Sequence, residues 1–112
     1  MDCIFCAIIA GEIPSTKVWE DEYCYAFRDI APQAKEHIVI VPRAHIESAD
    51  KIYAGNSVYI AKIFEAIPKI AAELNITNGY RIITNIGEHG CQSVKHLHFH
   101  LLGGEQLAEK IV

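Results

Sequence analysis

Residues 57–74 carry the one long helical pattern in this chain of 112 residues. Apolar side chains recur at three- and four-residue spacing from Ile60 to Leu74, and Lys and Glu lie between them, as in a helix with one buried face. Pro68 conflicts with this pattern because proline lacks a backbone N–H and crowds the preceding turn, so we expect a kink or a break there. A chain with a single long helix does not suit a doubly wound sheet, which needs helices on both faces.

The rest of the chain has the pattern of short strands joined by turns. Extended segments are indicated at residues 17–20, 23–28, 37–41, 80–86 and 94–103, and a short helix at residues 2–10. No repeat or low-complexity linker separates these elements. They predict one α+β domain over residues 1–112, in which a mainly antiparallel five-stranded sheet carries the long helix and a short N-terminal helix.

Composition and charge exclude several classes of partner. Half of the residues are apolar and the formal net charge is −4, which is typical of a folded protein without the clustered Lys and Arg of nucleic-acid-binding domains. The apolar run at residues 3–10 follows Asp2, not a basic segment, and it is far shorter than the ~20 residues that span a bilayer. We therefore expect a cytoplasmic protein that binds a small ligand and neither nucleic acid nor membrane.

Three histidines alternate with apolar residues near the end of the chain. In a strand, His96, His98 and His100 share one face, and the residues between them face the core. A solvated histidine-rich strand is one explanation, and a three-histidine zinc site is another. The zinc site fails partly on reach, because the outer two positions lie ~13 Å apart, whereas zinc ligands lie ~2 Å from the ion. A central nucleophile that attacks phosphorus, flanked by donors to phosphate oxygens, fits the spacing better.

Further motifs accompany the three histidines. They are Asp29-Ile-Ala-Pro-Gln, His37-Ile-Val-Ile-Val-Pro-Arg-Ala-His45, Tyr80-Arg, Asn85, Gly90-Cys-Gln-Ser93 and Leu102-Gly103-Gly104. In this order, and with the form His-x-His-x-His-x-x at residues 96–102, the chain resembles the histidine-triad family over nearly its whole length. Gln92-Ser93 and Gly103-Gly104 resemble the nucleotide-binding, phosphoramidase branch of that family, in its bacterial type. The resemblance implies the histidine-triad fold.

The resemblance also implies a role for each residue of a candidate site. His98 is the nucleophile, His100 donates to a phosphate oxygen and His37 reaches the leaving group. The other implied contacts are with phosphate for Asn85, Gln92 and Ser93, with ribose for Asp29, and with the purine ring for Phe5, Ile8, Phe27 and Ile30. Without the resemblance, these polar residues are ordinary turn residues and the apolar ones ordinary core.

The implied reaction is hydrolysis of a purine nucleoside phosphoramidate, or of a mixed anhydride such as an aminoacyl adenylate. It passes through a covalent nucleotidyl-histidine and needs no metal. Dinucleoside polyphosphate hydrolysis, typical of the fragile-histidine-triad branch, is the rival reaction, and Leu102-Gly103-Gly104 disfavours it. A non-catalytic nucleotide-binding or scaffold protein is a third possibility, against which the complete triad argues. Family resemblance further implies a homodimer in which sheets and long helices of two subunits pack together.

Cys3 and Cys6 form a Cys-x-x-Cys pair, which is a frequent half of a zinc site. By resemblance to zinc-bearing bacterial members and to galactose-1-phosphate uridylyltransferases, His45 and His96 complete a structural zinc site. A redox pair, two free buried thiols and adventitious metal are the alternatives. Cys91 stands where glycine is common in the family, which predicts a narrower phosphate loop or an exposed thiol.

Overall fold

The chain forms an antiparallel sheet covered by one long helix, seen in a computed structural model that describes residues 3–110. Its elements are α1 (Ile4–Ile9), β1 (Lys17–Glu20), β2 (Cys24–Arg28), β3 (Glu36–Pro42), a 3₁₀ turn (Ala49–Lys51), α2 (Val58–Glu73), β4 (Arg81–Ile83) and β5 (Phe99–Gly103). The strand order is β1-β2-β3-β5-β4, and each neighbouring pair is antiparallel. The predicted α+β class is confirmed. The predicted start of the first helix at residue 2 lies outside the described residues.

Strand β3 lies at the centre of the sheet and is buried on both faces. Ile38 and Ile40 join the core beneath α2, whereas Val39 and Val41 join a smaller apolar cluster beneath α1. A strand covered on both faces has no polar side, which explains why residues 37–41 lack the alternation of a half-exposed strand. Within residues 3–110, neither α-helix is long and apolar enough to span a bilayer.

Helix α2 runs through Pro68 without a break. Pro68 lies on the exposed face, and its neighbours Ile67 and Ile70 are buried against the sheet. The carbonyl of Phe64, which loses its helical partner to the proline, belongs to a residue that is also exposed. Water can therefore satisfy this carbonyl, and packing of the apolar face keeps the helix continuous where local propensity favours a break.

The last strand begins at Phe99 and not at residue 94, so this part of the sequence-based prediction is wrong. In the β3–β5 register, Ile40 pairs with Phe99, and the continuing ladder would bring Pro42 opposite Leu97, where proline has no N–H to donate. Leu97 N–H instead donates to the carbonyl of Ile46 at 2.6 Å. Strand β4 is likewise shorter than predicted and ends at Ile83.

Candidate active site and metal site

The central triad histidine, His98, has its tautomer set by a backbone partner. Its Nδ1 lies 2.8 Å from the carbonyl oxygen of His96, which can only accept, so Nδ1 carries the proton and Nε2 keeps a lone pair. Thr84 Oγ1 donates to the carbonyl of His98 at 2.8 Å and steadies the backbone. The His98 side chain is almost fully buried, so this lone pair is shielded from bulk water.

His37 and His100 form a hydrogen-bonded pair beside His98. The backbone N–H of Gln33 donates to His37 Nδ1 at 3.0 Å, so the proton of a neutral His37 sits on Nε2 and is donated to His100 Nδ1 at 2.8 Å. The remaining Nε2–H of His100 is then free to serve as a donor. Burial lowers the pKa of both His37 and His100, which keeps them neutral near pH 7. The rings of His98 and His100 lie 5.1 Å apart.

Asp29 lies at the edge of this histidine pair. Its Oδ1 accepts the backbone N–H of Ala31 at 2.8 Å, as in a turn. Its other oxygen, Oδ2, lies 3.4 Å from His37 Nε2. The carboxylate therefore combines the local turn role with a position beside the histidine rings, and it partly offsets the lowering of the His37 pKa by burial.

Most of the predicted purine-binding residues lie together. Phe5, Ile8 and Phe27 belong to the apolar cluster beneath α1, and the Phe5 ring stands 5.6 Å from Phe27 and 5.0 Å from His98, edge to face. Ile30 is different, because its side chain is fully exposed. It follows Asp29 in the turn that projects from the sheet, and it packs on neither core cluster of the described chain.

Residues 87–93 form a tight loop between β4 and the triad. Gly90 approaches the backbone of Ile86 so closely that a Cβ at this position would clash with the Ile86 carbonyl oxygen. Cys91 adopts a left-handed backbone conformation with φ of 60°, and its thiol is exposed. Of the predicted phosphate contacts, Ser93 is exposed at the end of this loop and Asn85 is half-buried before it.

The side-chain amide of Gln92 is fully hydrogen-bonded within the protein. Its Oε1 accepts the backbone N–H of Gly87 at 3.0 Å, and its Nε2 donates to the carbonyls of Glu47 at 2.7 Å and Val94 at 3.0 Å. Gln92 was predicted to contact phosphate, but both of its side-chain N–H groups are engaged by backbone oxygens.

The four predicted zinc ligands lie in one cluster. Cys3, Cys6, His45 and His96 each offer one ligand atom, and these atoms all lie within 4.8 Å of one another. Sγ of Cys3 lies 3.3 Å from Nδ1 of His96, and Sγ of Cys6 lies 3.4 Å and 3.5 Å from Nδ1 of His45 and His96. Tetrahedral zinc with bonds of about 2.3 Å to sulfur and about 2.0 Å to nitrogen requires ligand separations of this size.

The protonation chemistry of the cluster also suits a cation. His96 Nε2 lies 3.0 Å from the carbonyl of Pro42 and must donate to it, so its Nδ1 lone pair faces the two thiols. Burial, with the adjacent Cys3, raises the pKa of Cys6 to about 11, a cost that a bound cation would reverse. By contrast, Cys24 is fully buried in the main core, where burial raises the pKa of its thiol to about 12.

The contacts in this site that were not predicted from sequence include those of Gln33 and Thr84. Gln33 belongs to the Asp29-Ile-Ala-Pro-Gln motif, but it acts through its backbone N–H, which carries no residue-type signal. Thr84 is a common strand residue, and only its position opposite the carbonyl of His98 makes it useful.

A cavity of about 640 Å³ lies elsewhere, lined by residues 75–81, 104–107 and 109, and no predicted site residue lines it.

The fold, the triad and the Cys/His cluster together describe a histidine-triad protein, and the HIT domain model matches residues 10–107. The chain therefore belongs to the HIT family. Purine nucleoside phosphoramidase of Escherichia coli is 42% identical over 107 residues, covering 95% of this chain and 90% of that protein. A 14 kDa zinc-binding protein of Zea mays is 45% identical over 112 residues, covering 93% of this chain and 83% of that protein.

The solved structures agree with the assignment of the fold. A HIT family hydrolase from Clostridium thermocellum matches with a TM-score of 0.96 and 44% identity, and the match covers 99% of this chain and 97% of that chain. The predicted five-stranded sheet with one long helix is therefore the fold of the family.

Proposed function

We propose that this protein hydrolyses purine nucleoside phosphoramidates or related nucleotidyl conjugates at the α-phosphorus and releases the nucleoside monophosphate. The proposal is carried by the fixed tautomer of His98, whose Nδ1–H is held by the His96 carbonyl so that Nε2 presents a lone pair. The 42% identity to a protein named purine nucleoside phosphoramidase supports the substrate class.

The reaction has two steps. In the first, His98 Nε2 forms a bond to phosphorus while the bond from phosphorus to the leaving nitrogen breaks and that nitrogen takes up a proton. In the second, water attacks the same phosphorus and gives up a proton to the solvent, the phosphorus–Nε2 bond breaks, and the lone pair returns to His98. The released proton balances the one that the leaving nitrogen took up from the solvent in the first step. We assign to the Nε2–H of His100 the stabilisation of the charge that develops on a phosphate oxygen. His37, which is hydrogen-bonded to His100, is assigned to the leaving-group side.

The remaining site residues surround the proposed nucleotide site. Asp29 holds the ribose, and Asn85, Gln92 and Ser93 belong to the phosphate side. Phe5, Ile8, Phe27 and the exposed Ile30 flank the purine ring. A flat apolar slot favours a purine over the smaller pyrimidine.

The test compares three substrate classes with two forms of the protein. Adenosine and guanosine phosphoramidates should release monophosphate faster than the cytidine compound and than diadenosine polyphosphates. His98→Ala should abolish turnover and the covalent adduct seen by mass spectrometry under alkaline denaturing conditions, with AMP affinity within about tenfold of wild type. Turnover by His98→Ala would refute the nucleophile. Nucleotide binding without turnover by wild type would favour a binding protein, and faster diadenosine polyphosphate cleavage would favour the rival reaction.

We also propose that Cys3, Cys6, His45 and His96 hold a structural zinc ion that anchors α1 to the triad segment, with no part in the chemistry. A zinc-binding relative supports this assignment, as do the ligand separations given above. For the whole chain, we propose a cytoplasmic protein that forms one domain over residues 1–112.

A homodimer is proposed from family membership. Within residues 3–110, β4 pairs on one side only, with β5, and the exposed side chains of α2 include Val58 and Phe64. An open strand edge and exposed apolar side chains on α2 both suit a second copy of the chain. Sedimentation equilibrium would test it, and a monomer at micromolar concentration would contradict it.

A further inference from the structure

We infer that Gln92 is a positioning residue, whose side-chain amide holds residues 87–93 in the shape that receives the phosphate, and that it does not itself contact the substrate. The inference rests on the proposed function and refines the role of one residue in it. The observation behind it is that all the strong hydrogen-bonding groups of this amide are engaged by backbone groups of the protein.

The two N–H groups of Gln92 leave no donor for a phosphate. An amide nitrogen carries two hydrogens, and these are directed to the carbonyls of Glu47 and Val94. The amide oxygen already accepts the N–H of Gly87, and an oxygen repels an anionic ligand in any case. A contact with phosphate would require the side chain to abandon two hydrogen bonds that keep backbone carbonyls satisfied.

The same hydrogen bonds close the loop. Gly87 and Gln92 are joined twice, since the backbone N–H of Gln92 donates to the Gly87 carbonyl at 3.0 Å while the N–H of Gly87 donates to the Gln92 side chain. Both Gly87 and Cys91 have positive φ values, of 69° and 60°. A loop of this tightness needs such fastening at its base, because an exposed segment with few apolar contacts opens readily.

Gln92 also ties the loop to the segment that carries His45. Its partner Glu47 is the neighbour of Ile46, whose carbonyl accepts the N–H of Leu97, between His96 and His98. One side chain therefore fixes the loop relative to the backbone of the nucleophile. A misplacement of about 1 Å between such groups can lower the rate of an enzyme by about a hundredfold.

The test is Gln92→Met, which keeps the length of the side chain and removes its hydrogen bonds. Amide hydrogen exchange at Gly87, measured by NMR without nucleotide, should speed up about tenfold, as expected for the loss of one hydrogen bond. AMP affinity and kcat should each fall about tenfold, while adenosine, which lacks the phosphate, should bind within about twofold of wild type. Gln106→Met is the matched control, because Gln106 is exposed and, within residues 3–110, its side-chain amide donates only to the Leu107 carbonyl. It should change none of these quantities.

Gln92→Asn provides a second variant should the methionine protein fold poorly. It keeps the amide but shortens the side chain by one methylene, so it should show the same changes to a smaller extent. Weaker AMP binding with unchanged Gly87 exchange would overturn the inference in favour of direct contact. Equal losses for AMP and adenosine would overturn it as a general folding defect. Faster exchange at Gly87 with unchanged AMP affinity and kcat would overturn the link between the loop and phosphate binding. In each of these cases, turnover that depends on His98 would leave the proposed function intact.

Discussion

Replacing Phe5 by alanine should destabilise the protein by about 3 kcal/mol, at the lower end of the range for buried Phe→Ala changes. The Phe5 side chain is 9% exposed, and its ring packs edge to face on Phe27, His96 and His98 at 5.6, 5.9 and 5.0 Å. Helix α1 has only six residues, too few to be stable alone, so its docking depends on such contacts. The lower end applies because the cluster beneath α1 is small, so that its neighbours can partly close the gap.

The measurement is urea unfolding at saturating zinc, followed by circular dichroism. Ile4→Ala is the matched control, because Ile4 lies on the same helix with 47% of its surface exposed and should cost below about 1 kcal/mol. Phe5→Ala should also weaken AMP binding, since the ring that it removes borders both the purine slot and His98. A loss of less than about 1 kcal/mol, or the same loss in both variants, would refute the reasoning that Phe5 docks α1.

Three further predictions concern the metal, the loop and pH. Cys6→Ser should reduce the zinc content from about one ion per chain to near zero by elemental analysis, whereas Cys91→Ser should not; zinc retained by Cys6→Ser would contradict the ligand set. Cys91→Gly should raise the free energy of unfolding by up to about 1 kcal/mol, because a left-handed φ is strained for cysteine but not for glycine, and a loss of stability in urea would contradict this. Since burial holds the pKa of His37 and His100 below the ordinary value of 6.5, the unfolded chain takes up protons first. The stability that the neutral rings contribute is therefore present above that value and lost as the pH falls below it. The urea concentration at the midpoint of unfolding should change less between about pH 7.5 and about pH 5.5 in His37→Gln than in wild type. An equal change in both proteins would contradict the assignment of this pH dependence to His37.

Much of the architecture follows from local patterns. The helical spacing around Ile63 and Ile70 predicts α2 within one residue at each end, because a long amphipathic pattern is stable as a helix when its apolar face is buried against the rest of the protein. The β1–β2 hairpin and the double-sided burial of β3 follow in the same way. Where local propensity and packing disagree, as at Pro68, packing of the helix against the sheet prevails.

The residue types of the candidate site are visible in the sequence, but their hydrogen-bond partners are not. The spacing of His96, His98 and His100 marks a site, and the Cys-x-x-Cys pair marks half of a metal site. Neither the spacing nor the pair identifies which ring nitrogen carries a proton. That depends on carbonyls and N–H groups contributed by Pro42, Gln33 and the triad backbone itself.

The sequence by itself determined the fold class, the strand and helix order and the chemical character of the site, because these depend on periodicity and residue type. Only the tertiary structure decided that the triad segment leaves the sheet before Phe99, that Gln92 is occupied by backbone groups and that Ile30 stands exposed. Ile30 is exposed because it lies in the turn after Asp29, outside any strand. The first two features depend on how segments distant in sequence meet, and on which backbone groups the sheet leaves without a ladder partner. Side chains then take up the unpaired groups, since a buried N–H or C=O without a hydrogen bond is costly.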